Sequence, residues 1–347
     1  MPGISTLLEF KECVQANFEG NEASLQAFGK TYSKQLKAQL IESGERTPSE
    51  VGAPDGFWGP MDAPGWYTNR EGENPNSFFL DASAPRIWKL YSLIDATVFK
   101  SAVDRWVEKA RGVDKVWLTR DHMLHLGKEP EWAQRGVGIT FNDGLAEDDE
   151  NQANLSLKAW HGAYDRLPEL RRLIDLAQKQ FAVYSVRWQK KTAGAVTISA
   201  EWYSDGRVTV NRGADVDEVL SFITEMSVEY GSSLEEATNL RDQGLGAFEY
   251  NFSQEVNLDA FSATVARGTG DMKLWLVEVE SEPDFRRFKG VDLHTWDRVL
   301  LDLGERYAYL TIPRKGCVNA VPRLAVVQGE DNTGKTEVFY DGEKVFA

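Results

Sequence analysis

The chain has 347 residues, of which 42% are hydrophobic and 27% charged, an ordinary globular balance. At roughly 100–200 residues per domain it is long enough for two or three cores. A formal charge of −15 argues against general affinity for nucleic acid or anionic membranes.

The amino terminus lacks the basic and apolar regions of a signal peptide, and no apolar run approaches the ~18 residues of a membrane helix. Cys13 and Cys317 lie near opposite ends without metal or redox spacing, so a reduced, cytoplasmic protein is expected.

Residues 1–43 read as a helical N-terminal extension. Leu7, Leu8, Phe10 and Val14 recur at helical spacing, and a second helical segment is expected from Glu22 to Glu42. Residues 44–80 are rich in Pro, Gly and Asn and carry Phe57, Trp58, Trp66 and Tyr67 without a sustained period. They predict a long ordered loop, because flexible linkers do not carry such aromatics.

A first α+β unit covers 81–150. Ile87 to Ser92 alternates as a strand, and Asp95 or Thr97 caps a helix with Phe99, Val103, Trp106 and Val107 on one face. Lys115–Leu118 is the return strand, Gly136–Phe141 a further one, and the acidic run Glu147–Glu150 a solvated boundary.

The middle unit, 151–245, opens with a strand at Leu155–Trp160. A helix starting at Pro168 is expected to bury Leu170, Leu173, Ile174 and Ala177. Tyr184–Trp188, Ala195–Tyr203 and Arg207–Val210 then form an antiparallel meander turning at Ser204-Asp205-Gly206. Asp215, with Glu218 three residues on, caps a helix whose stripe is Val216, Val219, Leu220, Ile223 and Met226.

The third unit, 246–347, has a strand at Phe248–Phe252, a helix at Leu258–Ala266 and a strand at Met272–Val279. A helix at Thr295–Leu303, a strand at Arg306–Ile312 and a C-terminal hairpin of Leu324–Gln328 with Glu337–Tyr340 complete it.

The third unit echoes the first. Leu93-Ile-Asp-Ala-Thr-Val-Phe99 through Lys115-Val-Trp117-Leu118 recurs as Leu258-Asp-Ala-Phe261 through Lys273-Leu-Trp275-Leu276, each a helix running into a Lys-x-Trp-Leu strand. The element order predicts an α+β protein of tandem ferredoxin-like (split βαβ) units with antiparallel sheets, the helical N-terminal extension and the C-terminal β-hairpin.

Five groups of residues invite a chemical reading. Gly329-Glu-Asp-Asn-Thr-Gly334-Lys335-Thr336 matches the Walker A pattern, but the strand-like Glu337–Tyr340 follows where a phosphate loop needs a helix, so the string reads as a hairpin loop. His122 and His125 have i, i+3 spacing without a third ligand, and no metal site is expected there. Asp292, His294 and Asp297 are the candidate catalytic cluster; the plainer reading is a cap with a helical Arg298–Asp302 pair. Cys317, beside Arg314 and Lys315, would be a reactive thiol only with a histidine in contact, and His294 is the nearest in sequence. Tyr184, Arg187 and Trp188 are the best basic and aromatic stretch for stacking single-stranded nucleic acid.

No constellation is complete, and no cofactor or metal is expected. The preferred expectation is a non-catalytic interaction module or assembly subunit that binds a protein partner through Phe57, Trp58, Trp66 and Tyr67. The alternatives are a metal-dependent hydrolase or nuclease at Asp292, His294 and Asp297, and a single-stranded nucleic-acid binder through the middle unit.

Overall fold

The computed structural model describes residues 4–21, 35–72, 75–125, 129–142, 154–160, 172, 176, 181–244, 246–268, 270–330 and 334–346. The expected Pro168 helix, the acidic run and most of the segment after Glu22 lie outside these residues. The described residues form a mixed α+β protein with two antiparallel sheets and seven helices.

Helix α1 (Leu7–Glu19) begins in a capping box. Thr6 accepts from the Glu9 amide, Glu9 reaches back to the Thr6 amide, and the helix buries Phe10, Cys13 and Val14. The next element corrects the sequence reading, because Leu36–Glu42 is strand β1 and not helix. The segment Leu-Lys-Ala-Gln-Leu has good helix formers, but it lies in mid-sheet with both faces buried, and tertiary context overrides propensity.

The described residues between 44 and 76 are likewise more regular than an ordered loop. They hold the short helix α2 (Pro48–Val51) and the hairpin of β2 (Phe57–Pro60) and β3 (Trp66–Arg70). Strands this short, broken by Pro and Gly, leave too few residues for a period to show.

Strands β4 (Phe78–Asp81) and β5 (Ile87–Ser92) follow, then helix α3 (Ala96–Lys109). Asp95 caps α3, and Phe99, Val103, Trp106 and Val107 are buried on one face as expected. With Trp58, Phe78, Trp88 and Leu90 they form a core of their own. The return strand shrinks to β6 (Asp114–Lys115).

Beyond the short helix α4 (Arg120–Leu124) come β7 (Trp132–Asn142), β8 (Asn154–Trp160), β9 (Ala182–Thr192), β10 (Ala195–Tyr203) and β11 (Arg207–Gly213). Strands β9 to β11 are the expected meander. Helix α5 (Val216–Gln243) starts at the Asp215 cap and buries the whole predicted stripe.

The C-terminal part contains β12 (Phe248–Phe252), α6 (Leu258–Arg267), β13 (Leu274–Glu282), β14 (Phe285–Asp292), β15 (Arg298–Gly304), β16 (Tyr307–Thr311), α7 (Ala320–Gln328), β17 (Thr336–Tyr340) and β18 (Glu343–Val345). Two elements exchange type relative to expectation. The helix expected at 295–303 is β15, whose Val299, Leu301 and Leu303 are buried with the period of a strand.

The strand expected at 324–328 is part of α7. Its valines suggest a strand, but Pro322 sits in the first turn, where its missing N–H costs nothing. Nearly every α7 side chain is buried, so no amphipathic period shows in its sequence. The C-terminal hairpin is therefore β17–β18.

The first sheet runs β2-β3-β4-β5-β1-β11-β10-β9-β7-β8 with β6 also on β1, and the second runs β13-β14-β15-β16-β12-β17-β18. Strands β7 and β8, on either side of residue 150, are neighbours within the first sheet.

Both sheets contain one repeat. A strand leads through a helix into a four-stranded meander whose last strand pairs with the first, and a second helix returns a final strand to the first strand's other side. The elements are β1-α2-β2-β3-β4-β5-α3-β6 and β12-α6-β13-β14-β15-β16-α7-β17. A split βαβ unit leaves one strand between those its helix joins, as α3 does between β5 and β6 across β1 and α7 between β16 and β17 across β12. The first helix of each repeat spans three strands instead, because the meander has four strands where a ferredoxin-like unit has two. The sequence echo pairs the corner α3–β6 with the corner α6–β13, which are not equivalent in the repeat.

Candidate functional site at the junction of the two sheets

Where the sheets meet, charged groups that sequence reading left scattered come together. Glu42 ends β1, and Asp114 in β6 is its partner across the strand pair. Asp292 ends β14, and the turn to β15 is closed by bonds from the Asp292 amide to the Asp297 carbonyl (2.8 Å) and from the Trp296 amide to the Asp292 carbonyl (2.7 Å). Trp296 takes φ +66° to make that turn. The Asp292 carboxylate caps it by accepting from the His294 amide at 3.0 Å.

Arg323, fully buried on α7, spans the junction. One terminal nitrogen binds Asp114 and the other binds Asp292 Oδ1 at 2.6 Å. Asn319 donates to Asp114 Oδ2 (2.9 Å) and to the Lys115 carbonyl (3.0 Å), and Tyr230 of α5 donates to Asn319 Oδ1 (2.6 Å).

Burial pushes the Asp114 carboxyl up, and Arg323 with Lys273 outweighs this, holding it below the ordinary carboxylate range. Lys273 is buried and donates to the Val107 and Val113 carbonyls at 2.6 and 3.0 Å; burial lowers its pKa. Lys115 reaches across in the other direction to Asp271 at 2.6 Å. The two echoed Lys-x-Trp segments thus clasp each other.

His294 lies beside this network with none of its surface exposed. Its Nε2 is 3.0 Å from Glu42 Oε2, out of line for a hydrogen bond, and its Nδ1 has no hydrogen-bond partner. A ligand atom of each of Glu42, His294 and Cys317 lies within 4.8 Å of the other two. Arg86 binds Glu42 Oε1 at 3.0 Å and approaches Cys317 Sγ at 4.0 Å. Burial and the Glu42 carboxylate push the Cys317 thiol well above its ordinary range, with Arg86 acting the other way.

The histidine that a reactive Cys317 would need does lie nearby, and the basic neighbour of the thiol is Arg86 in place of Arg314 or Lys315. Asp297 joins them, its Oδ2 accepting from the Cys317 amide at 3.2 Å and from the Thr295 hydroxyl. Asp292 and Asp297 are thus engaged by Arg323 and by the turn. Asp302 lies elsewhere in a bidentate pair with Arg287 (2.7 and 2.9 Å), so the helical Arg298–Asp302 pair does not form.

Of the four aromatics at 57–67, Trp58 is buried edge-on against Trp106 with centroids 6.1 Å apart, and Trp66 stacks on Tyr91 at 5.8 Å. Tyr67 packs against the second core, whereas Phe57 is largely exposed. Trp58→Leu is expected to cost about 2 kcal/mol in a denaturant melt, and an unchanged midpoint would return that ring to the surface.

Trp188 is buried, with its indole N–H on the Met123 carbonyl at 2.9 Å, so its face is covered. Lys335 of the Walker-like string pairs with Glu337 at 2.9 Å, and Thr336 opens β17 where a phosphate loop needs a helix. His122 is enclosed between the Thr119 and Ser233 hydroxyls at 2.9 and 3.1 Å, and His125 lies 2.8 Å from Glu229.

Sequence reading missed Glu42, Arg86, Asp114, Asn319 and Arg323. The available signal was a lone charge in an apolar run, as in Ala320-Val-Pro-Arg323-Leu-Ala-Val-Val327. A charge in such a run is buried with a partner.

The chain belongs to the MJECL33-like protein family, whose sequence pattern matches residues 61–328. It is 23% identical over 340 residues to the uncharacterised protein MJECL33 of Methanocaldococcus jannaschii, an alignment covering 82% of each chain. No solved structure matches. No helix among the described residues is long and apolar enough to cross a membrane.

Proposed function

We propose that the protein is a non-catalytic interaction module that docks a protein partner on the edge and outer face of its second sheet. One observation carries this reading. On β13, Trp275 and Val277 alternate with the buried Leu274 and Leu276 and have 51% and 61% of their surface exposed, and Val279, 51% exposed, sits where the register with β14 shifts.

Strand β13 is the last in its sheet, pairing with β14 and with no strand on its other side among the described residues. Proteins normally blunt such an edge, and an apolar one is a template for strand addition, with backbone bonds giving affinity and alternate side chains giving specificity. Tryptophan at such a position is a frequent binding hot spot. Glu278 and Glu280 of the same strand already pair with Arg286 and Arg287, so the partner strand is one that offers apolar side chains to Trp275 and Val277.

This places docking away from Trp58 and Trp66. The hydrolase and nucleic-acid readings draw less support, since Asp292 and Asp297 are already engaged and Trp188 is covered.

A photo-crosslinker at position 277 of the full chain, with position 228 on α5 as control, tests the reading in the native cell. A defined protein adduct from 277 alone is expected, and Trp275→Ala should abolish it while stability stays within about 0.5 kcal/mol. Equal adducts from both positions, or an adduct indifferent to Trp275→Ala, would refute it.

A further inference from the structure

We infer that Glu42, His294 and Cys317 form a binding site for a thiophilic divalent cation, of which zinc is the best fit. The three ligands come from separate elements: the end of β1, the β14–β15 turn and the loop before α7. Their ligand atoms are gathered within 4.8 Å of one another, and the Nε2–Oε2 separation is 3.0 Å. Two ligands on a tetrahedral zinc, with bonds of about 2.0–2.2 Å, stand about 3.3 Å apart. A tetrahedral zinc sets a thiolate about 3.6 Å from its other ligand atoms, so the thiol, within 4.8 Å of both, draws inward to complete a three-ligand face.

A second observation is independent of this clustering. The His294 ring is wholly buried, yet neither nitrogen makes a hydrogen bond. An orphaned buried imidazole is costly, and a cation supplies the partner its lone pair lacks.

The surroundings are prepared in the same sense. Arg86 holds Oε1 of Glu42 and the Gly44 amide donates to Oε2 at 3.1 Å, which fixes the carboxylate's orientation as outer ligands of a metal site do. The Asp297 carboxylate fixes the Cys317 backbone. Gly44, at φ +55°, is close enough that a side chain there would approach Nε2 at 3.6 Å, so the wall of the site is built from backbone.

A thiol with an imidazole selects zinc over magnesium or calcium, which prefer oxygen ligands. Binding releases the Cys317 proton to solvent and leaves a thiolate on the metal. The thiolate and Glu42 together then neutralise the ion's two charges. Because its ligands come from both sheets, the ion clamps the two repeats together, with a fourth position left for water.

The test uses the purified full-length chain with zinc or cobalt(II) alone. Wild type is expected to retain about one zinc per chain after dialysis. After chelation it should take up cobalt with an intense near-ultraviolet thiolate-to-cobalt band. Cys317→Ser and His294→Ala should lower the metal content at least tenfold and remove the band. Cys13→Ser, which changes the other cysteine, should keep both. Wild type without a thiolate band at saturating cobalt overturns the inference, even should the variants fail to fold. So does Cys317→Ser with full metal content.

Discussion

Arg323→Leu is expected to lower stability by about 3–5 kcal/mol, the cost of leaving a buried charge without its partner. Arg323 is fully buried and is shared by Asp114 and Asp292, so the substitution strands two carboxylates in the interior. Asn319 and the Lys115 amide still serve Asp114, the His294 amide still serves Asp292, and Lys273 remains nearby, but one cation with neutral donors does not balance two buried negative charges. Lysine is no substitute, because a single ammonium cannot span both carboxylates as the planar guanidinium does.

The triple variant Arg323→Leu, Asp114→Asn, Asp292→Asn should recover part of the loss, since it strands no carboxylate, and Lys273 keeps the Val107 and Val113 carbonyls as partners. Urea melts of wild type, Arg323→Leu and the triple variant decide the matter. A loss below about 1 kcal/mol for Arg323→Leu would mean that water reaches the junction and screens the pair.

The second large effect is acid destabilisation through His122. Burial holds this imidazole down to about 4, with Asp121 raising it and His125 lowering it by smaller amounts. The folded chain therefore keeps His122 neutral at pH values where the unfolded chain, near 6.5, has already taken a proton. Stability falls as pH drops from about 6.5 to about 4 and levels off below that, a loss of about 3 kcal/mol at most.

The Thr119 hydroxyl donates to the Phe346 carbonyl at 2.8 Å, so it accepts from Nδ1–H, while the Ser233 hydroxyl lies 3.1 Å from Nε2 and also reaches the Glu229 carbonyl at 3.3 Å. His122→Asn should flatten this part of the pH profile. The readout is the difference in urea midpoint between pH 7 and pH 4.5, wild type against variant, which cancels the carboxylates common to both. Parallel profiles would place the proton uptake elsewhere.

What was legible in the sequence follows how local each signal is. Asp215 with the stripe Val216–Met226, the Asp95 cap with Phe99–Val107, and the meander turning at Gly206 each depend on neighbours within a few positions, and each stands where it was read. Elements buried on every side were misread. Strand β1 and helix α7 have no wet face, so their sequences carry no period, and propensity pointed the wrong way in both. Strand β15 was lost to a different confusion, because Asp292 does cap, but it caps a turn.

The site was half legible for the same reason. Asp292, His294 and Asp297 are near in sequence and were read as one cluster, with Cys317 considered separately. Glu42, Arg86 and Asp114 reach them only through pairing across more than 170 positions.

The two copies of the repeat differ in a way that bears on synthesis from a ribosome. In the C-terminal copy every strand finds its neighbours between residues 248 and 345, and β17 closes along all five of its residues. In the N-terminal copy the corresponding closing strand, β6, is only two residues long, and the exposed flank of β1 is completed by β11, with Leu36 opposite Val210. An emerging chain must therefore hold β1 half-satisfied through some 170 residues of further translation, a long-range closure that slows folding and leaves an aggregation-prone edge. The C-terminal copy needs no such wait, so the half made last is the half equipped to finish first.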